Sequence, residues 1–162
     1  MPPPLVALAV GLLMWVIARL TPFFGLDGGG ALGGGGALGG ASARGWQVGV
    51  AIACALIGFG LAASAAGLFF KAKTTVHPEA PEKATTLVVD GVYRFTRNPM
   101  YLGMLLVLLG WAIYLGNLLA LVVAFVFVLY INRFQIRREE AALAANFGEV
   151  YVAYRARVRR WL

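Results

Sequence analysis

The sequence predicts an all-α integral membrane protein with about four transmembrane helices, at residues 5–24, 46–70, 99–115 and 118–132, the last two forming a helical hairpin. A cytosolic amphipathic helix is expected to follow. Three observations carry this. Hydrophobic residues make up 60% of the 162 and charged residues only 13%, against about 25% charged in soluble domains. Mean hydropathy is +0.79. The apolar residues are also gathered into long runs, such as residues 46–70, which carry no charge at all. The length suits one membrane domain, residues 1–162.

The first run, residues 5–20, continues through Thr21, Pro22, Phe23 and Phe24. A signal peptide would begin with a basic region and end at a sharp cleavage signal. Neither is present, so the run reads as a retained first helix. Residues 25–45 form a glycine-rich, flexible loop. Glycines that cradle phosphate lie between a strand and a helix with Lys-Ser or Lys-Thr behind them, and this stretch has neither. Residues 46–70 reach roughly 37 Å as a helix, enough to span with tilt. Gly58, Ala62 and Ala66 recur every four residues, with Gly60 and Ser64 beside them, a pattern that lets another helix approach closely.

Residues 71–98 are the first polar stretch. His77-Pro78 and Ala80-Pro81 keep it extended, and residues 88–92 suggest a turn. Pro99 then fits the first position of a helix, where its missing N–H is harmless. Gly116 and Asn117 join residues 99–115 to 118–132 as an antiparallel hairpin. Beyond Arg133, Leu143, Phe147, Val150 or Tyr151, Tyr154 and Val158 recur at three or four, the stripe of an amphipathic helix. Asn146 and Gly148 are candidate break points. Arg155, Arg157, Arg159 and Arg160 beside Trp161 suit an interfacial helix on anionic lipid.

The net charge is +7. In a soluble domain this would suggest nucleic acid. Here the cations flank spans, so orientation and lipid head groups account for them and no nucleic-acid partner is expected. Four spans place twelve of the fourteen lysines and arginines on one side, leaving Arg19 and Arg44 on the other. The positive-inside rule makes the populated side cytoplasmic, together with both termini. Six of the seven carboxylates, all but Asp27, share that side, so chemistry is expected to face the cytosol.

Several chemistries drop out. One histidine and one cysteine, His77 and Cys54, cannot make a His/Cys metal site. Ser64 lies in a span and Ser42 in the linker, so no Ser/His/Asp set is supported. Glu139 and Glu140 are adjacent, about 100° apart on a helix, and do not oppose each other across a sugar. What remains is a helix mouth holding Tyr93, Arg94, Arg97, Asn98 and Tyr101, with the acidic pair past the last span. Such groups orient a polar cofactor that carries the reactive power itself.

The run Leu87-Val88-Val89-Asp90-Gly91-Val92-Tyr93-Arg94-Phe95-Thr96-Arg97-Asn98-Pro99-Met100-Tyr101-Leu102-Gly103 resembles the signature of the isoprenylcysteine carboxyl methyltransferase family. A second block, from Glu139-Glu140 through Phe147-Gly148, Tyr151 and Tyr154 to Val158, resembles the family's second block. The superfamily also contains phospholipid N-methyltransferases. The resemblance covers about residues 71–158, and residues 71–162 are the expected catalytic region. It implies S-adenosyl-L-methionine as cofactor. It places Val89, Gly91, Tyr93, Arg97, Asn98, Pro99, Tyr101, Gly103, Glu139 and Glu140 at cofactor-binding positions. Arg97 and Arg133 are candidates to orient an acceptor carboxylate bidentately. Where the family has histidine this chain has Asn98, which takes no proton at neutral pH; His77 is a candidate substitute. The implied activity is methyl transfer to a lipophilic small molecule or lipid, such as a prenylcysteine-like carboxylate. A phospholipid amine acceptor, an NADPH-dependent membrane reductase and a non-enzymatic lipid-binding adaptor stand as alternatives. The methyl acceptor and the oligomeric state stay open at this stage.

Overall fold

The structure, a computed structural model, describes residues 2–21, 40–72 and 86–162, with side chains from residue 45 in the second segment. Most of the expected glycine-rich loop, and the His77 segment, lie outside the described residues. Among the described residues there are five α-helices: α1 (Pro3–Leu20), α2 (Gly40–Lys71), α3 (Pro99–Leu115), α4 (Leu118–Tyr130) and α5 (Arg137–Arg157). A 3₁₀ turn at Gly91–Arg94 precedes α3, and a π-helical segment, Ile131–Ile136, joins α4 to α5. No strand occurs among the described residues.

Among the described residues three helices are long and apolar enough to cross a membrane, and α3 is a shorter apolar helix of 17 residues. Their outer faces confirm the setting. Leu8, Leu12, Leu56, Phe59, Phe125 and Leu129 are all more than 60% exposed, which water would penalise and hydrocarbon does not. The chain is a multi-pass helical membrane protein. α2 starts at Gly40, six residues before the expected boundary, because Ala41 and Ala43 are strong helix formers.

Small residues fix the tightest helix pair. A Cβ added to Gly58 of α2 would strike the carbonyl oxygen of Gly103 on α3, and the reverse holds at Gly103, where Ala62 also crowds in. One helical stretch further on, Gly110 lies against Ala51 and Cys54. The expected small-residue stripe is therefore packing, and it packs within this chain through Gly58 and Ala62.

The hairpin turn has its own chemistry. Gly116 ends α3 with φ +61°, a left-handed cap that suits glycine. Asn117 caps α4 by accepting from the N–H groups of Leu119 (3.0 Å) and Ala120 (3.2 Å). Its amide donates back to the Thr21 carbonyl at 2.9 Å, fastening the end of α1 to the hairpin. Higher up, the Trp111 indole donates to Gly11 of α1. The core between α1, α3 and α4 is filled by Val6, Met14, Leu108, Ala112, Ala120, Ala124 and Phe127.

The last helical run does not stop near residue 132. It runs on from Leu118 through the π segment into α5 and is interrupted only at Gly148, because the π segment lets the chain pass from apolar to polar sequence without a turn. Gly148, with φ +53° and ψ −128°, kinks it as expected, whereas Asn146 stays helical.

Candidate active site

A cavity of about 380 Å³ opens at the mouth of α3. Tyr93 of the 3₁₀ turn, Asn98 to Tyr101 at the start of α3, Glu139, Glu140 and Leu143 of α5, and Tyr151 and Tyr154 beyond the kink all line it. Pro2, Pro3 and Pro4 of α1, Phe69 of α2 and residues 86–88 complete the wall. Most of this lining is apolar, with the charged groups gathered on one side.

The two adjacent glutamates have different surroundings. Glu140 receives Arg97 Nη1 at 3.1 Å and a two-point contact from Arg160, Nε at 3.0 Å and Nη2 at 2.6 Å. That contact holds the Arg160 guanidinium above its usual range. Glu139 has no cation beside it among the described residues. It accepts from the Tyr101 hydroxyl at 2.5 Å and from Gln135 Nε2 at 2.8 Å. Burial pushes its carboxyl up, and the nearby Glu140 charge adds to this, against the two hydrogen bonds. The three remaining phenols are also driven up by burial: Tyr93 and Tyr151 above their usual range, and Tyr154 to about 12. They are donors at neutral pH, not bases.

Residues 158–161 pack back onto the first block beside the cavity. After Val158 turns extended (φ −116°, ψ 131°), the backbone returns to the first block. Arg97 N–H donates to the Arg159 carbonyl at 3.0 Å, and Asn98 Nδ2 and Thr96 Oγ1 donate to the Arg160 carbonyl at 2.9 and 3.2 Å. The Tyr154 hydroxyl donates to the Tyr93 carbonyl at 2.8 Å, and Trp161 Nε1 to Asn132 Oδ1 at 3.2 Å. The stripe of α5 thus buries Tyr151 and Tyr154 against the protein itself, while Val150 and Val152 face outward.

Of the ten expected binding positions, Tyr93, Arg97, Asn98, Pro99, Tyr101, Glu139 and Glu140 meet at the cavity. Val89, Gly91 and Gly103 do not line it. Gly91 takes φ +59° with Leu68 against it, a turn position, and Gly103 is the contact with Gly58. Arg133 is exposed and lines a separate groove, so the structure does not bring it to Arg97. Asn98 supplies an N–H to the tail, a duty that asparagine and histidine can both perform. Residues the sequence reading missed are Gln135, Arg160, Phe69, Leu143 and the proline tip of α1. Gln135 was findable, since a Gln four residues before a Glu shares its helix face. Arg160 was not, because a basic tail reads first as a topology signal.

The fold and the site define a helical membrane protein with an acid-floored apolar cavity at one end of its bundle. Residues 46–150 match the phospholipid methyltransferase family, and the chain belongs to that family. It is similar to an uncharacterized protein of Haemophilus influenzae, 52% identical over 63 residues, which are 39% of this chain and all of that protein. It is also similar to the Protein-S-isoprenylcysteine O-methyltransferase of Schizosaccharomyces pombe, 37% identical over 75 residues, or 44% of this chain and 30% of that enzyme. The membrane methyltransferase superfamily expected from the two sequence blocks is thereby established.

Proposed function

We propose that this chain is an S-adenosylmethionine-dependent methyltransferase acting on a lipophilic acceptor at the cytosolic face. The observation that carries the reading is a pair of unmet needs in one cavity. Among the described residues Arg97 Nε is buried with no hydrogen-bond partner, and Glu139 is a half-buried carboxylate with no cation beside it. An amino-acid zwitterion answers both: its carboxylate suits Arg97 and its ammonium suits Glu139. Bound there, S-adenosylmethionine would supply an electrophilic methyl group. Tyr93, Tyr151 and Tyr154 would keep water out of the cavity and offer hydroxyls, and Met100, Met104 and Leu143 would receive the acceptor's apolar chain.

A prenylcysteine-like carboxylate is the leading acceptor. It is already anionic and needs no base, and Asn98 cannot act as one, its amide being donated to the Arg160 carbonyl. A phospholipid amine is the second reading. It would use Glu139 differently, to take the proton an ammonium acceptor must lose in place of pairing with the cofactor's ammonium. Clustering of cations on the cavity's side of the bundle supports a cytosolic site.

The test is a thermal-shift titration of detergent-purified protein with S-adenosylmethionine and, separately, NADPH. Stabilisation by the first alone is expected. Stabilisation by NADPH alone would favour a reductase, and none by either would sink the enzyme reading. Transfer of labelled methyl to a farnesylcysteine analogue or to phosphatidylethanolamine then assigns the acceptor.

A further inference from the structure

The groove that contains Arg133 is outside the catalytic cavity and is built differently. Tyr130, Arg133, Phe134, Gln135 and Arg138 line it. It has two guanidiniums and no carboxylate. The nearby acids are already engaged elsewhere: Glu139 turns inward to Tyr101 and Gln135, and Glu140 is held by Arg97 and Arg160. No ion pair to Arg133 or Arg138 occurs among the described residues.

Backbone geometry puts the two arginines together. They are five residues apart, which on a regular α-helix turns side chains about 140° from each other. The intervening π segment, Ile131–Ile136, with its i→i+5 bonding, widens the turn and narrows that angle, and both arginines line the one groove. Its depth in the membrane is set by sequence: α4 is wholly apolar up to Tyr130, and the first charge after it is Arg133. Tyr130 and Phe134 lie ring to ring at 4.8 Å on the same side, and Phe134 is 55% exposed. Aromatic rings with arginines beside them belong at head-group level.

We propose that this groove binds the phosphate of an anionic membrane phospholipid, with Arg133 and Arg138 on the phosphate and Tyr130 and Phe134 against the upper acyl chain. Two unpaired guanidiniums at that depth match a phosphodiester in charge and in fork geometry. The site is independent of the methyl-transfer reading, and Arg133 belongs to it. Gln135 separates the groove from the cavity and holds Glu139, so an occupant sits one side chain from the acidic floor.

Native mass spectrometry of the full chain tests this, using phosphatidylglycerol, phosphatidylcholine and inorganic phosphate as probes. One phosphatidylglycerol is expected to bind in preference to phosphatidylcholine. The Arg133→Gln/Arg138→Gln double variant should lose that binding by more than about tenfold. An Arg155→Gln/Arg157→Gln variant, with equal charge removed from exposed positions elsewhere, should keep it. Equal loss in both variants would mean diffuse charge attraction and overturn the site, as would unchanged binding in the first. Displacement of the lipid by millimolar inorganic phosphate alone would reassign the groove to free phosphate and overturn the lipid. Unchanged melting of each variant establishes that the loss is local, and Arg133→Lys/Arg138→Lys should restore part of the binding.

Discussion

Glu139 and Glu140 are one bond apart in sequence and carry different tasks. Glu140 is matched by two arginines and fixes Arg97 beside the cavity. Glu139 is held by two neutral donors, Tyr101 and Gln135, with no cation beside it among the described residues. Glu139→Gln should weaken S-adenosylmethionine binding about ten- to a hundredfold, the worth of one charge-assisted hydrogen bond, while leaving the fold intact. Isothermal titration against the parent reads this. Glu140→Gln should instead lower the unfolding midpoint, because it leaves Arg97 buried without its counter-charge. The pH response follows from the direction of the Glu139 shift. Its folded-state pKa lies above its unfolded value, so between the two the folded chain binds more protons. Without ligand, stability should therefore fall as pH rises from the ordinary carboxylate range through the raised value. Glu139→Gln should flatten that slope in a pH series of thermal melts; an identical slope in the variant would assign the titration to another group.

Helix contacts explain why Gly103, one of three expected binding positions that do not line the cavity, sits away from it. Gly103 stands in the block that also holds Tyr93 and Tyr101, yet its neighbours are Gly58 and Ala62. A signature records every position that the site requires, including those that merely let α2 and α3 meet. Gly103→Leu and Gly58→Leu should accordingly destabilise the protein alike, on the order of 1–3 kcal/mol or more from overpacking. Denaturation in matched detergent compares them. A loss of ligand affinity in Gly103→Leu with unchanged melting would make Gly103 a binding residue after all. The hairpin was legible because Gly116 and Asn117 are strong stop and cap residues flanked by unbroken apolar runs. The π segment was not, since Ile131–Ile136 carries no breaker and an extra residue in a helical turn leaves no mark in hydropathy. That segment sets the phase of α5, and with it which acid faces inward.

At the scale of the whole molecule, the ends of the chain meet at one site. The proline tip of α1 lines the cavity, and Arg159 and Arg160 close a contact with residues 96–98 beside it. Spans and the acidic pair could be read from composition and spacing. This closure could not, because the groups that make it are the carbonyl oxygens of Arg159 and Arg160, which every residue type carries. The arginine side chains drew attention to lipid instead, and of these Arg160 points inward to Glu140. Backbone and side chain therefore make separable contributions. Arg160→Ala keeps the three bonds to the tail carbonyls and removes only one of the two arginines on Glu140, so it should weaken S-adenosylmethionine binding modestly, with partial rescue in Arg160→Lys. Deleting residues 158–162 removes the carbonyls as well, freeing Arg97 N–H and the Asn98 amide and loosening the start of α3. It should weaken binding further than Arg160→Ala does, with Tyr154 still donating to Tyr93. Titration of the parent and the three variants orders them. If the truncated chain bound with the parent's affinity, the cavity would be complete within residues 2–157 and the tail only a tether. Binding in the expected order would instead make the carbonyls of Arg159 and Arg160 supports of the site that act through residues 96–98.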